Sequence, residues 1–387
     1  MNATLSKFID TARWIAAFCV LITHLNDRTF TVLANIPAEH RGWGLNLWVF
    51  AYGFAHQAVV VFFVLSGFLV GGAVLNRARS GQLDMRRYFL DRTVRIYLVL
   101  IPALVLTTAF DALGRSLFPA SIYQAEDAAG HFAPILLLLN LFEMQDIFVP
   151  YWGTNSALWT LSHEYWNYMT FPLLCAPLMR GLPFMARLAA FAAGLALLVV
   201  TSLSGSWHLF GFGVWIAGAL AILPGRPLMR SKAVALLVFL AVSVGCRLAF
   251  RFADLQQGYL GDAVDLAVAL SFANLLLTLR FADSGWRVLD WRGHQALSNF
   301  SYSLYAIHMP LITFLCAAAQ SLWGIGWRNV PATPAHWALA FAIMAIAVAA
   351  GWAFSRATEA RTDAVRRVLT RWLEKDRTTG SLKTQAG

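Results

Sequence analysis

The stretch Gln57–Ala58–Val59–Val60–Val61–Phe62–Phe63–Val64–Leu65–Ser66–Gly67–Phe68–Leu69–Val70–Gly71–Gly72–Ala73–Val74–Leu75 decides the fold class. It contains no Asp, Glu, Lys or Arg. A helix of that length rises about 28 Å at ~1.5 Å per residue, close to the thickness of a bilayer's hydrocarbon core. Backbone polar groups in lipid must be satisfied within the segment, so such a block is a helix. The uncharged run reaches back to Leu47, which leaves room for a tilted span or an interfacial start.

Comparable blocks recur along the 387 residues, of which 59% are hydrophobic and 13% charged. A soluble domain carries about 25% charged residues, so this chain has too little polar material to coat a water-facing surface. Spans are expected at about 12–33, 47–75, 96–114, 157–178, 186–204, 207–223, 232–250, 260–280, 299–320 and 335–357. The fold class read from this is all-α: a polytopic transmembrane bundle of about ten helices. The segment His131–Met144 is apolar but short, has Pro134 near its start and Pro150 beyond its end, and reads as re-entrant or interfacial.

The net charge of +10 raises the question of nucleic acid, but its distribution argues against it. With the N-terminus in the cytoplasm, 23 of the 30 Lys and Arg fall on the cytoplasmic side, as the positive-inside rule requires. Six fall outside (Arg28, Arg41, Arg115, Arg247, Arg251 and Arg328), and Arg13 sits at the edge of the first span. Counting 131–144 as a span flips every later loop and destroys this asymmetry. The expectation is therefore one membrane domain over 1–358 with both ends cytoplasmic. A basic amphipathic tail over 359–387 follows, its part Glu359–Lys375 suited to lying on anionic lipid. No cleavable signal peptide and no internal repeat is expected. Cys19, Cys175, Cys246 and Cys316 are far apart in sequence, with no CxxC and no metal spacing, and read as small buried hydrophobes.

Polar side chains inside a membrane are costly and need a reason. Arg13 and His24 are eleven steps apart on the first span, three turns plus about 20°, so they share a face about 16 Å apart along the axis. Arg13 alone reads as a snorkelling anchor, and His24 as a polar residue near a span end. The fourth span opens Trp159–Thr160–Leu161–Ser162–His163–Glu164, placing Glu164 near the depth of His24. The second histidine of a zinc-protease HExxH pattern is missing. The ninth span carries Tyr302, Tyr305 and His308, the last two on one face. Taken alone, they read as helix-packing hydrogen bonds, and Ser66 beside Gly67 as close helix packing. Arg92 and Arg95, three apart, place two guanidinium forks where the third span begins. That suits a phosphate-bearing ligand, although topology or lipid headgroups explain basic residues there too. Together these residues suggest a mid-membrane chamber holding a histidine base and a carboxylate, with an anion-binding cytoplasmic mouth. That arrangement suits acyl transfer to a hydroxyl, the thin arm of an acyl-coenzyme A spanning mouth to histidine.

Five of these stretches resemble, in order, motifs of acyltransferase family 3, the bacterial integral-membrane O-acyltransferases. They are Ile9–Asp10–Thr11–Ala12–Arg13 with His24, Phe62–Leu69, the RxxR pair Arg92 and Arg95, Leu158–Tyr168, and Phe300–His308. Two departures stand out. The family's usual Asp-Gly-Leu-Arg start is Asp-Thr-Ala-Arg here, and either His163 or Glu164 fills the family's acidic role. The resemblance implies a multi-pass protein of the bacterial cytoplasmic (inner) membrane. It implies transfer of an acyl group, often acetyl, from cytoplasmic acyl-CoA to a hydroxyl of a surface polysaccharide, lipid-linked sugar or glycosylated metabolite. It assigns the essential role to His24 and donor use to Arg13, Arg92 and Arg95. No cofactor is expected to be bound permanently, since acyl-CoA is a substrate. Some members carry a periplasmic SGNH hydrolase domain, and none is expected here.

The full expectation takes His24 as general base and Glu164 as holder of its tautomer. Arg13, Arg92 and Arg95 bind the donor, and Ser66, Trp159, Ser162, His163, Tyr302, Tyr305 and His308 are candidate channel lining. Expected partners are acyl-CoA, a glycan or other hydroxyl acceptor and membrane lipids, not nucleic acid; a homo-oligomer stays open. Two rivals remain at this point. One is a proton-coupled transporter or flippase relaying protons through His24, Glu164 and His308, for which no inverted repeat is visible. The other is a non-catalytic scaffold, which leaves the buried histidine and glutamate unexplained. Trp43, Trp48, Trp152 and Trp327 in the outer segments suit interface anchoring or stacking on sugars.

Overall fold

The computed structural model describes residues 1–31, 35–203, 207–252, 259–324 and 332–371. Helices account for 80% of the chain, and the described residues contain no strand. In chain order they are α1 Ala3–Thr29, α2 Trp43–Tyr52, α3 Ala55–Ser66, α4 Gly72–Arg79, α5 Met85–Leu117, α6 Ile122–Ala128 and α7 Pro134–Leu141. The remainder are α8 Trp159–Leu174, α9 Phe184–Ser202, α10 His208–Leu220, α11 Lys232–Phe252, α12 Tyr259–Arg280, α13 Gly293–Trp323 and α14 Pro334–Ala357. Eight stretches are long and apolar enough to cross a membrane, the second being the continuous helical run 43–79. The expected fourth and sixth spans form helices in the expected places, but α8 has 16 residues and α10 has 13. The segment expected to be re-entrant contributes only the eight-residue α7.

Local chemistry sets the ends. The Asn2 carboxamide oxygen accepts from Leu5 N at 2.8 Å, capping α1. Its amide nitrogen lies within donating distance of the carbonyls of Leu279, Arg280 and Ala282 around the end of α12. Asp84 caps α5 through Arg87 N. Pro310 removes the donor that would reach the Ala306 carbonyl one turn back in α13. The Asn155 side chain supplies a substitute at 3.0 Å, tying the α7–α8 connection to the middle of α13.

Polar contacts sort the loops into two faces. Lys7–Asp290, Arg366–Asp91 and Lys232 to the Ser284 carbonyl join segments that the charge count puts on one side. Arg28–Glu126, Arg115–Asp127 and His56–Asp265 join segments that it puts on the other. Of the outer tryptophans, Trp43 is exposed and Trp152 buried, donating to Thr108. Trp48 donates to Asn26 and packs on Trp337. Trp327 and Arg328 lie outside the described residues, as do 372–387 of the expected tail. The tail is helical over 362–371, after the short turn Glu359–Arg361 that packs against the bundle.

Between α3 and α4 the run Gly67–Gly71 is a π-helical turn. Such turns widen a helix and recur at functional sites. Here it brings α3 against α10. A Cβ on Gly67 would lie 1.8 Å from the Trp215 carbonyl oxygen, and one on Gly218 would lie 2.1 Å from that of Val64. The two helices meet backbone to backbone, the small-residue packing expected of membrane helices. Gly67→Ala is expected to force them apart at a cost of about 1–3 kcal/mol. A fall of several degrees in the thermal midpoint in detergent would register this; an unchanged midpoint would show that the contact is not tight.

Candidate active site

A cavity of about 350 Å³ lies among α1, α3, α5, α8, α10 and α13. Its polar lining is Arg13, Ser66, Arg92, Arg95, Thr160, Glu164, Tyr168, Ser301, Tyr302 and Tyr305. Helix geometry explains which side chains arrive there. On α8, Thr160, Glu164 and Tyr168 recur every four residues and therefore share one face. On α5, Arg92 and Arg95 share another. The cavity joins residues from sequence positions nearly three hundred apart.

The centre of the polar wall is Glu164. Its Oε1 accepts from the Ser66 hydroxyl at 2.7 Å and from the Tyr168 hydroxyl. Ser66 Oγ in turn accepts from Trp215 Nε1 at 3.0 Å. The close helix contact at Gly67 is what brings Trp215 within reach of Ser66. The Arg92 guanidinium lies over the Tyr168 ring, 5.7 Å from its centroid, and its Nε has no protein partner. Arg95 is within electrostatic range of Arg13, Glu164 and Glu359. Arg13 is also within range of Asp10, so three arginines and three carboxylates gather around this end of the cavity. Glu359 sits just beyond the expected domain boundary at 358 and accepts from Ser303 Oγ at 3.1 Å. The first residues of the tail therefore belong to the site's surroundings.

His24 is not among the lining residues. It is half-buried on α1, and its ring centroid lies 5.3 Å from that of His308. His308 follows Tyr305 on α13, the two rings 5.6 Å apart. Tyr305 lines the cavity and accepts a hydrogen bond from Thr160 at 2.9 Å. A path of adjacent rings thus runs from the cavity through Tyr305 and His308 to His24. The expected pairing of Glu164 with His24 is replaced by these contacts. Glu164 is held by Ser66 and Tyr168, and the ring beside His24 is His308.

Ser162, His163, Trp159 and His308 do not line the cavity; Ser66, Tyr302 and Tyr305 do. His163 and Ser162 point the other way along α8 and hold the 142–155 connection. Ser162 Oγ donates to the Glu143 carbonyl at 2.6 Å, as does Trp166 Nε1 at 2.7 Å. His163 Nε2 bonds Asp146 at 2.9 Å, and its ring packs on those of Trp159 and His208. Of the two neighbours, Glu164 faces the cavity and His163 anchors a loop. That loop holds Glu143 and Asp146 at φ of 57° and 62°, a conformation that non-glycine residues adopt only when their surroundings impose it. Burial pushes the Glu143 carboxyl up to about 8, with Gln145 donating to it at 2.8 Å.

Sequence reasoning passed over Thr160, Tyr168, Trp215 and Glu359. The first two carried a signal in their spacing of four from Glu164. Trp215 and Glu359 carried none, since tertiary packing alone brings them in. Among the described residues no group of His, Cys, Asp and Glu is arranged to hold a metal ion.

No curated protein and no solved structure gives a significant match to the chain. A family model does: the acyltransferase domain of acyltransferase family 3 matches residues 6–356. That range contains every lining residue of the cavity, both histidines and each of the long apolar helices in whole or in large part. The chain is accordingly a member of acyltransferase family 3, a multi-pass membrane acyltransferase.

Proposed function

We propose that the protein moves an acyl group, acetyl in the simplest case, from acyl-CoA to a hydroxyl of a glycan or glycosylated metabolite, with His24 as general base. The observation that carries this reading is the convergence of Arg13, Arg92 and Arg95 on one cavity whose far wall, through Tyr305 and His308, leads to His24. Guanidinium forks match phosphate oxygens in pairs, so the arginines suit the phosphates of a coenzyme A. The cavity's mixed wall, aromatic and hydroxyl-bearing, suits a pantetheine arm with its two amides. Glu164, fixed by Ser66 and Tyr168, balances the arginine charge while the cavity is empty and orients groups along the arm once it is filled.

In the reaction the acceptor oxygen attacks the thioester carbonyl while His24 takes the hydroxyl proton. The C–S bond breaks, and the thiolate leaves with the proton that His24 returns. General-base assistance of this kind contributes about 10²–10⁴-fold.

The test uses the purified protein in detergent with acetyl-CoA, water or a simple polyol as acceptor, and a thiol-reactive dye. Release of free coenzyme A thiol above the protein-free rate is expected. Transport of a glycan in vesicles with no thiol release would favour a transporter and overturn the proposal.

A further inference from the structure

His308 carries an atom that the bundle leaves unsatisfied. Its ring is 1% exposed on α13. Nδ1 lies 2.7 Å from the Tyr305 carbonyl oxygen, which can only accept, so Nδ1 carries the hydrogen. In the neutral ring Nε2 is then a bare acceptor. It is buried and has no hydrogen-bond partner among the protein atoms. A buried acceptor without a donor is costly, so such a group calls for an explanation. The ring next to it is His24, with centroids 5.3 Å apart and planes tilted by 31°. Two ring nitrogens turned toward one another across that separation lie about 3 Å apart, the usual hydrogen-bond distance.

We propose that His308 is the positioning residue of the acyl transfer: its Nε2 accepts the N–H of His24 and thereby fixes the His24 tautomer. This rests on the function proposed above. A neutral imidazole has one N–H and one lone pair, and a base needs the lone pair toward the hydroxyl. Donation of the N–H to His308 leaves the other nitrogen free for that proton. When it arrives, the charge on His24 is stabilised by the same hydrogen bond. His308 is held in turn by the Tyr305 carbonyl. The chain of command is backbone carbonyl, His308, His24, hydroxyl, and it uses no carboxylate. That accounts for Glu164 being committed to Ser66 and Tyr168 on the other side of Tyr305.

The test compares the wild type, His308→Gln and His308→Met by thiol release from acetyl-CoA. Glutamine keeps an acceptor near the place of Nε2. Methionine fills the space without a strong acceptor, and its flexible chain suits a packed core. Expected for the Met variant is a fall in kcat of at least tenfold with KM for acetyl-CoA unchanged. Expected for the Gln variant is recovery to within about threefold of the wild type, the size set by one neutral hydrogen bond. Wild-type kcat in a folded Met variant overturns the inference, and so does an equal loss in both. If the Met variant does not fold, the Gln variant decides, a tenfold loss of turnover in folded protein being contrary. Absence of thiol release from the wild type itself would instead remove the function on which the inference rests.

Discussion

Replacing Arg92 or Arg95 by alanine is expected to raise the KM for acetyl-CoA at least tenfold, and replacing both at least a hundredfold, with a smaller change in kcat. A hydrogen bond to a charged group contributes about 1.5–3 kcal/mol, and every ~1.4 kcal/mol is a factor of ten. The two guanidiniums share one face of α5 and line one cavity. A donor that leaves its phosphates with them loses binding energy when either is cut back. The effect is expected to fall on binding because a contact to the donor's phosphates is made equally in the ground and transition states. Lysine at either position keeps the charge but loses the fork, so it should recover only part of the affinity. A donor KM within threefold of wild type for the double variant would mean that the phosphates bind elsewhere.

The bundle was largely readable because membrane spans announce themselves by length and by lack of charge. The block 47–75 and the two-sided distribution of arginines required no tertiary knowledge. The two spans that fall short of full length, α8 and α10, contain Pro172 and several glycines respectively, and their ends are set by tertiary packing. The π-helical turn at Gly67–Gly71 is equally silent in sequence, since its glycines fit a straight, closely packed helix as well.

Parts of the site were readable too. Periodicity placed Arg92 and Arg95 on one face, and Arg13 and Tyr305 at usable depths, and all four line the cavity. What it does not give is rotation between helices. Residue counting puts Glu164 and His24 at similar depth, yet their side chains find different partners, because α13 brings His308 beside α1 while α3 brings Ser66 beside α8. Likewise His163 and Glu164 are chain neighbours with opposite duties, decided by where the 142–155 connection folds back. The left-handed residues Glu143 and Asp146 in that connection are held by Ser162, Trp166 and His163, contacts that no local pattern of residues encodes.

The central claim is that His24 performs the chemistry. It is the half-buried histidine at the end of the ring path, and α1 carries both it and the cavity residue Arg13. His24 is partly exposed, and a thermal midpoint in detergent for His24→Ala beside the wild type separates a loss of chemistry from a loss of folding. Loss of a general base removes about 10²–10⁴-fold of rate without touching the phosphate contacts. The direct measurement is kcat and KM for acetyl-CoA in thiol release by purified His24→Ala beside the wild type. Expected is a fall in kcat of at least a hundredfold with the donor KM little changed. A kcat within a few-fold of wild type would contradict it.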